Sequence, residues 1–148
     1  MNVEYKCKVC KKSKSVVVDD SDMDCEIAQS MFDVNFPALT CNRCADWRAS
    51  GAKCRDQAET AGRRLLTACQ MRPSKDTDEV KRRIESRLDE ICSRFVRVNT
   101  AFLGLSARSH AHLKNAIINQ PECAADIIRK SARSMIDEAQ NKQMELTR

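Results

Sequence analysis

Two Cys-x2-Cys pairs, Cys7 with Cys10 and Cys41 with Cys44, stand thirty residues apart and constrain this chain more than any other feature of it. Each pair can supply two corners of one tetrahedron, so the four thiols together predict a single metal centre rather than a disulfide framework. A catalytic zinc keeps a coordination position open for water or substrate, whereas four cysteines close the shell. The pattern therefore points to one structural Zn2+ held by Cys7, Cys10, Cys41 and Cys44. Four thiolates also bind iron, so zinc is an expectation of chemistry rather than of spacing alone.

The other five cysteines, Cys25, Cys54, Cys69, Cys92 and Cys123, are scattered singly among helical patterns, which fits a reducing, intracellular compartment such as cytoplasm, nucleoid or nucleus. The N-terminus, with Glu4 and then a cysteine pair, lacks the charged region followed by an apolar one of a secretory leader. No apolar run approaches the ~18 residues that a membrane span requires, so no membrane association is expected. With three glycines and three prolines in 148 residues there are few places to turn, which argues for long helices and against an all-β fold.

The chain reads as two domains, a metal module over residues 1–50 and a helical region over 51–148. Val3–Lys6 and Ser15–Val18 have β character, and the first cysteine pair and a Lys11–Lys14 bend lie between them, predicting a knuckle followed by a short hairpin. A hairpin of that size needs a cross-link in place of a core. Asp19 to Asp22 offer N-caps for a short helix over about residues 22–33, and Phe36 and Leu39 are expected behind the metal. After Cys44, the residues Ala45-Asp46-Trp47-Arg48-Ala49 suit a helix, placing Cys44 in a first turn where the dipole favours a thiolate.

Knuckle, hairpin and a second knuckle that opens a helix resemble the treble-clef and zinc-ribbon class of zinc modules, with Cys7, Cys10, Cys41 and Cys44 matching its four ligands. The resemblance covers residues 5–48. Members of the class often carry Gly after the second cysteine of a knuckle, and this chain has Lys11 and Ala45 there.

Beyond the module, Cys54, Ala58, Ala61, Leu65, Ala68 and Cys69 form a narrow stripe of small residues, and the helix that carries them is expected to end near Met71, before Pro73. Asp76 as N-cap and Glu79 three residues on read as a capping box for the next helix. Ile84, Leu88, Ile91, Phe95, Val98, Phe102 and Leu105 then alternate steps of four and three, a heptad seam. Such a seam serves either self-association as a coiled coil or the core face of a bundle, and the bulk of Phe95 and Phe102 opposite the small-residue stripe favours the bundle or an antiparallel helical hairpin. Gly104 predicts a break, helix resumes through Leu113 and Ile117, and Pro121 marks another start. The fold class is thus mainly α with a small α+β zinc module.

Net charge is +5, and the excess lies in residues 51–148, with nineteen Lys/Arg against thirteen Asp/Glu. That balance suits an acidic partner surface or a polyanion. Candidate contact residues are Lys8, Lys11, Lys12, Lys14, Arg43 and Arg48 near the cysteines, and Arg63, Arg64, Arg72, Lys75, Arg82 and Arg83 in the helical region. Two readings compete for the first group: contact with phosphates, or compensation of the roughly −2 formal charge of a zinc with four thiolates. For the second group the competing reading is a solvated face, since Asp78 with Arg82, Glu79 with Arg83, Lys81 with Glu85 and Glu90 with Arg94 stand one turn apart.

His110 and His112 lie two apart, diverge around a helix and cannot clasp one metal. Cys123 sits near a helix start, but no base or oxyanion site accompanies it, so a thiol-dependent enzyme has little support. Cys25, Cys54, Cys69 and Cys92 read as buried thiols. No phosphate-cradling glycine loop, carboxylate pair or histidine metal motif is present, and the expected function is non-enzymatic: a zinc-binding adaptor that presents a surface to a protein partner, a role that a nucleoprotein complex could employ. The alternative is a direct, sequence-independent DNA or RNA binder.

Overall fold

A computed structural model describes residues 2–17 and 40–146, which divide into two compact units, Met1–Arg48 and Ala49–Arg148. The helix expected over residues 22–33, with Cys25, and the residues Phe36 and Leu39 lie outside the described residues.

In the first unit, β1 (Asn2–Lys6) and β2 (Ser13–Val17) pair antiparallel, in register from Asn2 opposite Val17 to Lys6 opposite Ser13. The first cysteine pair does not precede this hairpin but forms its turn. Cys7 N–H donates to the Lys12 carbonyl at 3.1 Å and Lys11 N–H to the Cys7 carbonyl at 2.9 Å, so the chain reverses within the knuckle itself. Of the expected Lys11–Lys14 bend, Lys11 and Lys12 complete this turn and Ser13 and Lys14 begin β2. The second cysteine pair lies where α1 (Asn42–Gln70) begins.

Helices account for most of the described chain. Beyond α1 they are α2 (Lys75–Leu103), α3 (Ala111–Asn119), a 3-10 turn (Pro121–Cys123) and α4 (Ala124–Leu146). From Ala49 onward they form a helical bundle around one core, in which Cys54, Ala58, Ala61 and Leu65 of α1 meet Leu88, Ile91, Cys92 and Phe95 of α2, Leu113 and Ile117 of α3, and Ala124, Ile128 and Met135 of α4. No helix is long and apolar enough to cross a membrane among the described residues.

The small-residue stripe of α1 is buried as its spacing requires, except at its last position. Ala68 is 1 % exposed and Cys69 lies at the surface, because one residue along a helix turns the side chain by about 100° away from the packed line. Cys54 and Cys92 are buried thiols; burial raises the pKa of both, Cys92 to about 12, which keeps them protonated and unreactive.

The start of α2 differs from the capping box read at Asp76. Ser74 is the N-cap, extended at φ −156°, and its Oγ accepts from Thr77 N–H at 3.1 Å. Thr77 is buried and its hydroxyl donates to the Arg72 carbonyl at 3.0 Å, tying the helix start to the preceding turn. Asp76 and Asp78 fall inside the first turn, where they favour the helix dipole without capping.

The heptad seam also drifts. Leu88, Ile91 and Phe95 are buried, but the buried face then continues through Val96, Asn99 and Thr100 while Val98 and Phe102 are only partly covered. A straight helix of 3.6 residues per turn slips about 20° per heptad against a 3.5 repeat, and this helix follows the straight geometry of a bundle. The two polar residues so buried satisfy themselves on the helix: Asn99 Nδ2 donates to the Phe95 carbonyl at 2.8 Å and Thr100 Oγ1 to the Arg97 carbonyl at 3.1 Å.

Gly104, at φ 68°, takes the left-handed conformation that ends α2, with its N–H on the Thr100 carbonyl. The following loop is pinned by charge. Arg108 grips Glu138 of α4 with two bonds of 2.7 and 3.0 Å, and Asp89 of α2 accepts from His110 Nε2 at 2.9 Å and lies 3.4 Å from Lys114 Nζ. The His110 hydrogen bond, with Lys114 beside it, holds the Asp89 carboxyl below the usual carboxylate range. His110 therefore serves the α3 start as an anchor.

The tightest helix contact is at Gly62. A Cβ there would stand 2.4 Å from the Pro121 carbonyl oxygen and 3.1 Å from Ala124 Cβ, so α1 approaches the 3-10 turn as closely as backbone allows. Gly51, in the same helix, has nothing within 4 Å of such a Cβ. Propensity alone favours Ala at both sites by about 0.5–1 kcal/mol. Gly51→Ala should raise stability by that amount, whereas Gly62→Ala should lower it by about 1–3 kcal/mol because a backbone oxygen cannot yield. Paired denaturant titrations of the two variants read opposite signs, and a stabilised Gly62→Ala would refute the close contact.

Candidate metal centre

The hairpin turn carries Cys7 and Cys10, and the start of α1 carries Cys41 and Cys44, which brings four side chains to one point from segments thirty residues apart in sequence. All four Sγ atoms lie within 4.8 Å of one another. The Cys10 and Cys41 sulfurs are 3.9 Å apart, far too long for a disulfide and close to the ~3.8 Å edge of a tetrahedron with metal–sulfur bonds of ~2.3 Å. Cys7, Cys41 and Cys44 are buried and Cys10 is partly exposed. The donor set and its dimensions fit a four-coordinate metal ion.

Backbone geometry prepares the sulfurs for negative charge. Val9 N–H and Cys41 N–H each donate to Cys7 Sγ at 3.4 Å, the second linking the start of α1 directly to the hairpin turn. Ala45 N–H donates to the Cys41 carbonyl at 2.9 Å and begins the helical ladder. Burial pushes the Cys7 thiol up, but backbone donors from Cys41, Cys10 and Val9 outweigh it and bring the thiol down to about 5. Cys44 moves the opposite way, to about 12, through burial and the hydrogen bonds it shares with the three neighbouring sulfurs. Four thiolates at this spacing would repel strongly in the absence of a cation, so some of the sulfurs stay protonated until one is supplied. A metal ion held by the four sulfurs would resolve that conflict by replacing the protons.

Lys11 occupies the position where many knuckles have Gly, and the structure shows why Gly suits it. Its φ is 62°, the left-handed region, and among non-glycine residues described it alone has positive φ. The side chain costs about 1–2 kcal/mol there. Its N–H bond to the Cys7 carbonyl shows what that conformation secures, namely the reversal that lets Cys10 face Cys7.

The basic residues expected to form a contact surface are distributed over both units. Lys8, Lys11 and Lys12 are exposed on the knuckle, Lys14 lies in β2, and Arg43 and Arg48 are exposed on α1. In the bundle, Arg63, Arg64, Arg72, Lys75, Arg82 and Arg83 are all exposed. Of these, Arg63, Arg64 and Arg83 border one groove between α1 and α2, which Arg87 extends, a residue not singled out in the sequence. Glu79 pairs with Arg83 at 2.8 Å as its spacing predicted, and Glu59 pairs with Arg63, while Glu90 turns to Arg87 rather than Arg94. Cys123 lies partly buried in the 3-10 turn, its N–H on the Gln120 carbonyl.

The strain at Lys11 makes a prediction for the centre. Lys11→Gly should hold its metal against a competing chelator as well as the parent chain, because relief of strain offsets the added freedom of Gly in the unfolded state. Lys11→Val should lose metal at lower chelator concentration, since a β-branched side chain resists positive φ. Equal behaviour of the two variants would contradict the knuckle geometry.

Neither a family model, nor a curated protein, nor a solved structure matches the chain.

Proposed function

We propose that the protein is a non-enzymatic accessory factor in which one structural zinc ion, held by Cys7, Cys10, Cys41 and Cys44, stabilises a module of the treble-clef and zinc-ribbon class, and that the chain presents a binding surface to a protein partner. The convergence of four sulfurs within 4.8 Å carries the first part. Four protein ligands complete a tetrahedral shell, which suits a structural role. A knuckle in the β1–β2 turn and a second at the start of α1 support the class assignment. Zinc rather than iron is the reading for a redox-neutral scaffold, and a colourless protein with one equivalent of zinc per chain is the expected preparation.

A second reading, sequence-independent contact with DNA or RNA, draws on the exposed arginines and knuckle lysines. Backbone-directed binding of that kind weakens steeply between about 50 and 200 mM salt. Affinity purification from the native source with and without nuclease separates the two readings. Protein partners that survive nuclease support the first, and partners lost with nuclease, together with salt-sensitive binding of unrelated oligonucleotides, replace it with the second.

Metal removal should act locally. Cys41→Ser or a strong chelator should abolish the hairpin signals of residues 2–17 while most helical circular dichroism persists, because the bundle has its own apolar core. Retention of the hairpin in metal-free protein would overturn the zinc assignment.

A further inference from the structure

The groove between α1 and α2 combines two features that a solvated helix face does not need. Four large apolar side chains are exposed among the described residues, and two of them, Met71 at 53 % and Val80 at 41 %, lie in this one groove beside the partly buried Ile84. The groove encloses about 460 Å³, and its charged lining residues are Arg63, Arg64 and Arg83, with no carboxylate among them. An adjoining depression of about 450 Å³ shares Arg64, Arg83 and Ile84 and prolongs it along the helix pair, adding Arg87 and one carboxylate, Asp56, which lies 3.7 Å from its neighbour Arg55.

Partnering within the chain leaves this cationic rim incompletely neutralised. Arg63 and Arg83 each hold a glutamate one turn away on their own helix, at exposed positions where such pairs contribute little. Arg64 makes no ion pair among the described residues. A phosphate backbone would meet the arginines but would leave Met71 and Val80 uncovered. An amphipathic segment with an apolar stripe and flanking carboxylates meets both. Two helices joined by a short turn present a furrow of the kind that a third helix fills, as helix-in-groove recognition does.

We infer that the α1–α2 groove, floored by Met71, Val80 and Ile84 and rimmed by Arg63, Arg64 and Arg83, is a docking site for an acidic amphipathic helix of a partner protein. The inference rests on the protein-partner reading above and specifies where and by what chemistry the partner binds. Apolar residues at i, i+3, i+4 and i+7 of the incoming helix cover Met71 and Val80, and its Asp or Glu side chains reach Arg64 and the free edges of Arg63 and Arg83.

The test is selection of a displayed random helical-peptide library on the immobilised, metal-loaded full chain. Enriched peptides should carry an apolar stripe at helical spacing flanked by acidic residues. Their binding should weaken about tenfold or more with Val80→Asp and with Arg64→Glu, the size of loss expected for a desolvated apolar anchor and for a reversed charge. Both positions are exposed, and an unchanged melting temperature confirms that each variant folds. No enrichment, enrichment without acidic bias, or binding indifferent to both substitutions overturns the site. An oligonucleotide that competes for the groove and loses affinity with Arg64→Glu but not Val80→Asp overturns it in favour of a polyanion surface. If the groove fails while nuclease-resistant partners bind Val80→Asp protein normally, the accessory-factor reading stands and only the docking site falls.

Discussion

A helix whose buried line is Cys54, Ala58, Ala61, Leu65 and Ala68 offers its neighbours little side-chain volume, so backbones must come close before a core can fill. The bundle meets that demand by placing its bulk on the other side of the contact: Leu88, Ile91 and Phe95 on α2, Ile117 on α3 and Ile128 on α4. Gly62 marks the limit of this approach, where α1 meets the Pro121 carbonyl with no room for a methyl group. A Gly in mid-helix is costly by propensity, and its presence there is explained by the close contact alone. The loop contacts of Arg108 with Glu138 and of Asp89 with His110 then fix the short helices that complete the core.

The hairpin unit is built on a different principle. Five residues per strand and a six-residue turn bury too little to stand on apolar packing. Its order comes from the sulfur cluster and from N–H groups aimed at Cys7 Sγ, one of which, from Cys41, crosses between the two cysteine pairs. Positive φ at Lys11 belongs to the same economy: local backbone strain is tolerated because the turn it makes brings two ligands together. The two units therefore depend on different things, the first on its sulfur cluster and the second on core volume.

Which features could be read in the sequence follows from how local their causes are. Paired cysteines, the small-residue stripe as far as Ala68, Gly104 as a helix stop and Pro121 as a start act over a few residues, and each marks the position it was read at. Beyond Phe95 the heptad seam is only partly covered, at Val98, Phe102 and Leu105, because a straight helix slips against a 3.5 repeat, and Asn99 and Thr100 lie inside. Asp76 read as a cap because Glu79 follows it at capping-box spacing, but Ser74, two residues earlier, is the cap, its hydroxyl accepting from Thr77 N–H. Cys69 was assigned to the core on spacing that α1 satisfies with Ala68 instead. Gly62 and the joint placement of Arg63, Arg64 and Arg83 depend on which helices meet, and no local pattern encodes that.

That last juxtaposition changes how the basic excess of the helical region is understood. Counted along the sequence, the arginines alternate with acids one turn away and read as a solvated face. In space, three of them surround exposed Met71 and Val80, and the nearby glutamates pair along their own helices rather than across the groove. Solubility would be served equally by arginines placed anywhere on the surface, and better without exposed apolar side chains beneath them. Cationic rim and apolar floor in one furrow would complement a ligand that carries both opposite properties, and four cysteines that close the shell of a metal ion would leave recognition in the proposed accessory factor to surfaces of this kind.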